Sequence, residues 1–443
     1  MHPQPTARLI RGSILHFLSD PGEEVDHSAW EFFEDGALVV DEGKILQVGH
    51  WNDVLAKLPD LTRQTARYHD YCGKLITPGL IDAHVHYPQM SVIGSYGRQL
   101  LDWLEHYTFP TEAGFADLSV AQRTAAFFCD RLLAHGTTTA SVYATVHPHS
   151  VDALFEAAQS RKLRMLSGKV MMDRNCPENL RDTAESSRVD CEALIERWHG
   201  KDRLLYTVTP RFAPTSTEAQ LQVAGELFRS KPGIRLQSHL SENRSEIRWV
   251  EELFPDCKDY LAVYEKFGLL GPGAIYGHGI HLSDKERRRM AASGAAIAHC
   301  PTSNLFLGSG FFELDATLAA GIPVALATDV GGGTSLSMLR TMEAAYEVSQ
   351  TLHAPLSAYR TWYLATLGGA KALQLDDVIG NFLPGKEADF TVWQFDATPE
   401  LAWRMETTTS LDERLFAMTM MGDERCVAAT HILGEPVNAW AAV

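Results

Sequence analysis

Between residues 80 and 329 the chain repeats one pattern eight times: a short apolar run rich in β-forming residues, then a longer stretch of helical periodicity. The runs occupy 80–86, 137–144, 164–172, 204–212, 234–240, 274–280, 295–300 and 322–329. Strands in sequence that lie parallel need crossovers of about a dozen residues or more, and amphipathic segments such as SVDALFEAAQSRK and NRSEIRWVEELF supply them. Eight such units are what a closed barrel requires. The pattern therefore predicts an α/β fold whose centre is a TIM-like (β/α)8 barrel over residues 76–378.

The two ends read differently. Short alternating segments such as ALVVDEGKILQVGHW, broken by Asp, Gly and Asn turns, fill residues 1–75, and NFLPGKEADFTVWQF and CVAATHILGEPV return to the same style in residues 379–443. They are expected to join in one small β-sandwich domain built from both chain ends. The 39 basic and 56 acidic side chains leave a formal charge of −17, which repels polyphosphate and anionic bilayers and argues against nucleic acid or a membrane as partner. Seven cysteines without CxxC spacing fit neither a disulfide framework nor a zinc ribbon and suggest a reducing cytoplasm. The N-terminal residues lack the apolar core of a signal peptide, and no run approaches the length of a membrane span.

Chemistry is marked at the ends of the strands. In LIDAHVHYPQ, His84 and His86 lie two residues apart and so face the same way, with Asp82 in line beneath them. An HxH pair alone is more often an inert polar pair. His239, His278 and Asp329, however, close the fifth, sixth and eighth runs, and a barrel gathers such positions at one rim. Imidazole nitrogens with one carboxylate suit Zn²⁺ or a related divalent ion, and His84, His86, His239 and Asp329 are the expected ligands. His278 is left to hold the attacking water or its leaving proton. Glu242, three residues past His239, is the expected acid/base, since a carboxyl held away from water can shuttle protons.

These residues, with PGLIDAHVH and the final TD, resemble the amidohydrolase superfamily, and HVHYPQ, GTTTA, GKVMMDRN, RFAPTS, HLSEN, CPTSNLFLGSG and LPGKEADF are similar to its guanine-hydrolysing branch. The resemblance implies a zinc-dependent hydrolase, one ion per subunit, acting on guanine and water to give xanthine and ammonia, in a cytoplasmic homodimer. It places metal ligands on His84, His86, His239 and Asp329, the proton shuttle on Glu242, and purine-holding roles on Gln89, Arg211 and Phe212. An arginine there donates only, so it matches the O6 acceptor of guanine and not the amine of adenine.

Other motifs read as structural. Pro148 breaks the strand ladder in His147-Pro148-His149, so that second HxH reads as a loop. Lys169 falls on the third strand, away from the fourth-strand end where a carboxylated bridging lysine would sit, which favours one metal over two. Cys300 reads as lining or supporting the pocket, and Gly331-Gly332-Gly333, without a P-loop lysine, as close-packed backbone. Open alternatives are a single-metal deaminase of 8-oxoguanine, a pterin or a triazine, a two-metal ring-opening hydrolase, and a catalytically dead scaffold. The cytidine-deaminase signature H-x-E…P-C-x-x-C is absent.

Overall fold

A computed structural model describes residues 7–60, 62, 66–97 and 99–437. The extreme ends of the two terminal segments, including the start of the N-terminal reading, lie outside the described residues. Strands run in chain order as β1 (Arg8–Phe17), β2 (Trp30–Asp41), β3 (Lys44–His50), β4 (Arg67–Pro78), β5 (Leu80–His86), β6 (Thr137–Tyr143), β7 (Arg164–Gly168), β8 (Val170–Met171), β9 (Leu204–Pro210), β10 (Arg235–Leu240), β11 (Ala274–His278), β12 (Ala296–His299), β13 (Val324–Leu326), β14 (Phe390–Trp393), β15 (Val427–Ile432) and β16 (Glu435–Val437).

All eight expected barrel runs are strands, most of them shorter than the apolar run that carries them. They pair in the order β5-β6-β7-β9-β10-β11-β12-β13, with β8 a short extra strand on β9. Every one of these pairings is parallel. The last gap is closed by backbone bonds outside the ladders, Asp329 N–H to His84 C=O at 2.9 Å and His86 N–H to Val330 C=O at 2.7 Å. The third run splits at Lys169, whose ammonium pairs with Asp182 and lies 3.8 Å from Asp190, a fully buried side chain spent on structure.

Both chain ends do share one sheet, in the order β16-β15-β14-β4-β1-β2-β3. β14 pairs antiparallel with β4 and β15, while β1 pairs parallel with β4. Gly43 and Ile45 exchange backbone bonds with 385–388, so the sheet curls until the start of β3 meets the segment leading into β14. Ile10, Ile14, Leu38, Ile76, Phe390 and Val392 form the apolar cluster inside that curl.

The barrel and this sheet are joined by charge at the barrel's N-terminal face. Glu387 accepts from Arg164 Nη2 at 2.7 Å and Arg203 Nε at 3.0 Å, and Asp389 pairs with Arg203. Both guanidiniums are buried, so these bonds replace hydration that the fold removed. No helix among the described residues is long and apolar enough to cross a membrane.

Candidate active site

The period of two in LIDAHVH does what the alternation requires: Asp82, His84 and His86 turn to one side of β5. Asp82 is fully buried and accepts from Thr328 N at 3.0 Å and Thr328 Oγ1 at 2.5 Å, which ties the end of the eighth barrel strand to the first. That tie sets Asp329 over the two histidines, with Oδ1 3.2 Å from His84 Nε2 and 3.4 Å from His86 Nε2. The two imidazole Nε2 atoms are 3.3 Å apart.

His239 arrives from β10. Its Nδ1–H donates to Arg211 C=O at 2.7 Å, which leaves the Nε2 lone pair facing the centre. His278 ends β11, and its Nδ1 meets Asn304 Oδ1 at 2.8 Å, so its Nε2 likewise faces inward, 3.3 Å from Glu242 Oε2 and 3.7 Å from Asp329 Oδ2. His278 and Asp329 both hold the left-handed conformation, with φ of +72° and +49°, as does Ser241 at +50°. Non-glycine residues there carry strain of about 1–3 kcal/mol each, and such strain gathers where a fold must aim particular side chains.

The ligand atoms of His84, His239, His278 and Asp329 lie within 4.8 Å of one another, a group that could hold a metal ion. The sequence reading takes His86 as the third histidine ligand and sets His278 aside for water; the geometry brings all five residues together. The donor set fits a divalent ion. Burial drives His86 down to about 3 and His239 well below the usual imidazole range, so both rings are neutral and offer lone pairs. Burial pushes the Asp329 carboxyl up, but bonds from His84 and His86 outweigh it and keep Asp329 ionised. Anchoring a ring through its other nitrogen, as Arg211 C=O does for His239 and Asn304 for His278, is the arrangement by which proteins orient metal-ligating histidines.

Over this group opens a cleft. His86, His239, His278 and Asp329 form part of its lining, Gln89, Glu242 and Glu246 a further polar part, and Leu100, Trp103, Leu104, Phe212 and Leu307 its apolar walls. Arg211 faces the same cleft, 3 % exposed. Leu100–Trp103 and Phe109–Ala113 are α-helical turns separated by a π turn, Leu104–Thr108, and a local widening of this kind is common beside binding sites.

Glu242 is fully buried and accepts from Ser309 Oγ at 3.0 Å. Burial, reinforced by the charge of Asp329, pushes its carboxyl up to about 8 against the pull of that bond. Glu246 supplies the capping-box bond to Asn243 N at 3.1 Å and is raised to about 7 by burial and by Glu242.

Sequence reasoning missed Glu112. It lies 1 % exposed on the helical turn Phe109–Ala113, bonds Arg211 Nη1 through both oxygens at 2.9 and 2.7 Å, and accepts from Gln89 Nε2 at 2.9 Å. An acid inside the aromatic stretch WLEHYTFPTEAGF was its one available signal. The motifs set aside behave as structure. His147 precedes the helix Pro148–Ser160, with Pro148 in its first turn, and His149 Nε2 bonds Phe115 C=O at 2.7 Å. Cys300 is buried with Sγ on Ala298 C=O at 3.4 Å. A Cβ on Gly333 would stand 1.7 Å from Thr328 O, so that glycine is required by close approach.

The amidohydrolase family profile matches residues 75–437, which is most of the chain. The chain belongs to the amidohydrolase family. It is 48% identical over 439 residues to the guanine deaminase of Escherichia coli K12, covering 99% of each chain. The solved E. coli guanine deaminase superposes with a TM-score of 0.94 over 97% of this chain and 99% of its own. A solved Clostridium acetobutylicum guanine deaminase, with guanine bound in its active site, superposes at 0.88 with 29% identity, over 97% of this chain and 100% of its own. Within this amidohydrolase the cleft and its acidic and imidazole groups stand at the C-terminal rim of the barrel, where the fold builds active sites.

Proposed function

We propose that this chain hydrolyses guanine to xanthine and ammonia, with one zinc ion held by His84, His86, His239 and Asp329. The observation that carries the reading is the meeting, in one cleft, of the imidazole–carboxylate group with Arg211, Gln89 and Phe212. When bound, the ion would act as a Lewis acid that brings the acidity of water from about 15.7 towards about 7.

The chain's own groups do the rest. Arg211 donates to O6, which guanine presents as an acceptor and adenine replaces with an amine. Gln89 bonds the purine edge and Phe212 lies against its face. Asp329, ionised among histidines, accepts a proton from the attacking water, and His278 holds that water or its leaving proton. Glu242, kept protonated at neutral pH by its burial, gives a proton to the ring nitrogen beside C2. As the C2–O bond forms, C2 becomes tetrahedral. A further proton on the exocyclic amine lets the C2–N bond break with release of ammonia, because amide anion is too poor a leaving group. Expelling water from so small a cleft strengthens each of these contacts.

The same reading includes a homodimer in the cytoplasm, which sedimentation of the purified chain tests. The decisive assay follows the ultraviolet absorbance of guanine with purified protein, before and after chelation and after zinc is returned. Loss of absorbance that chelator abolishes and zinc restores is expected. Inert guanine alongside turnover of a pterin, triazine or 8-oxoguanine would move the assignment to those heterocycles.

A further inference from the structure

Arg211 and Gln89 face the cleft, yet each has already committed part of its hydrogen bonding to one buried acid. Glu112 takes Arg211 Nη1 on both oxygens and Gln89 Nε2 on one. A carboxylate only accepts, so it fixes the nitrogen end of the Gln89 amide. The other end is fixed independently, because Gly331 N–H donates to Gln89 Oε1 at 3.1 Å. The Gln89 amide therefore cannot flip, and it keeps one N–H and one lone pair for a ligand. Phe109, from the same helical turn as Glu112, lies under the guanidinium with its ring centre 5.5 Å from Cζ.

The pairing also sets charge. A guanidinium 3 % exposed and unpaired would be a strong anion trap, since a buried charge demands a partner. With Glu112 in contact the pair is neutral, and the remaining guanidinium N–H groups bond well to an uncharged carbonyl but gain little from a full negative charge.

We propose that Glu112 is a specificity-determining positioning residue, which by neutralising Arg211 and locking Gln89 makes the cleft select a neutral purine and refuse an anionic one. The proposal rests on the purine reading above. It accounts for how a site with a buried arginine avoids being held by acidic purines that resemble its product.

The test is Glu112→Gln, which keeps the shape and removes the charge, assayed with guanine as substrate and urate, an anion at neutral pH, as inhibitor. Guanine KM is expected to rise by about 10- to 100-fold with a smaller change in kcat, while urate Ki tightens by about 10-fold or more. A role confined to packing would weaken both ligands together, and unchanged or weaker urate inhibition overturns the proposal. Glu112→Asp keeps the charge at shorter reach and is expected to lose guanine affinity without gaining urate; a gain there overturns it equally, even if Glu112→Gln does not fold. If the unaltered protein proves inactive on guanine, the functional reading falls by itself. Calorimetric binding of guanine and urate to the same variants still decides the question of charge.

Discussion

Replacing Arg211 by Met should separate stability from activity. The guanidinium and its partner carboxylate are 3 % and 1 % exposed, and the acid keeps only the Gln89 amide once the arginine is gone. Breaking one side of a buried ion pair strands the other charge, at a typical cost of about 3–5 kcal/mol. The double variant Arg211→Met/Glu112→Gln removes the stranded charge and leaves a neutral amide that can still bond Gln89. It should regain all but about 1 kcal/mol of that loss, the scale of a single net hydrogen bond. Activity should not follow stability: both variants lack the donor proposed for the purine carbonyl, and the loss of kcat/KM should approach about 10⁴-fold in each. Urea unfolding followed by circular dichroism gives the first quantity and guanine absorbance the second. Equal stability of the single and double variants would refute the buried-charge argument. Near-normal kinetics in Arg211→Met would remove Arg211 from the site altogether.

Three further outcomes follow from the geometry. Glu242→Gln preserves an acceptor for Ser309 Oγ and should fold normally while kcat falls by about 10²–10⁴-fold, the worth of a placed general acid; unchanged turnover would exclude it as the shuttle. Glu387→Ala leaves Arg164 without the carboxylate it grips and Arg203 with Asp389 as its one remaining carboxylate partner among the described residues, and should cost about 3 kcal/mol or more in urea unfolding with little change in KM. Burial lowers His431 to about 4, with Tyr71 O–H at 2.8 Å from its Nε2, whereas an unfolded chain takes up that proton near 6.5. The unfolded state thus binds more protons between those values, and stability should fall as pH drops through the window, by about 3 kcal/mol in all. His431→Phe should flatten the urea midpoint against pH there, and an unaltered slope would assign the acid sensitivity elsewhere.

Much of this architecture is visible in sequence because two periodicities carry it. Alternation placed His84 and His86 on one side of a strand, and strand ends placed His239, His278 and Asp329 at a common rim, before any coordinate was needed. What alternation cannot say is where a strand breaks. The run 164–172 reads as continuous, yet at Lys169 the ladder stops, because a buried ammonium is held by Asp182 on the following segment. Nor can spacing rank five converging groups: His278 is turned into the cluster by Asn304, 26 residues later, a partner that no local pattern reveals. Glu112 shows the same limit. Its meaning comes from Arg211, 99 positions later, and Gln89, 23 positions earlier, and no local pattern connects them.

The weaving of both termini into one sheet has a cost during synthesis. β4 is made early, but the partner for its open edge, β14, emerges only after roughly 300 more residues, some tens of seconds at ribosomal speed. Until then a bare strand edge is available to any neighbouring chain. Newly made molecules should therefore depend on chaperones in a way that the finished protein does not, and a nascent chain halted before Phe390 should aggregate even with its barrel complete.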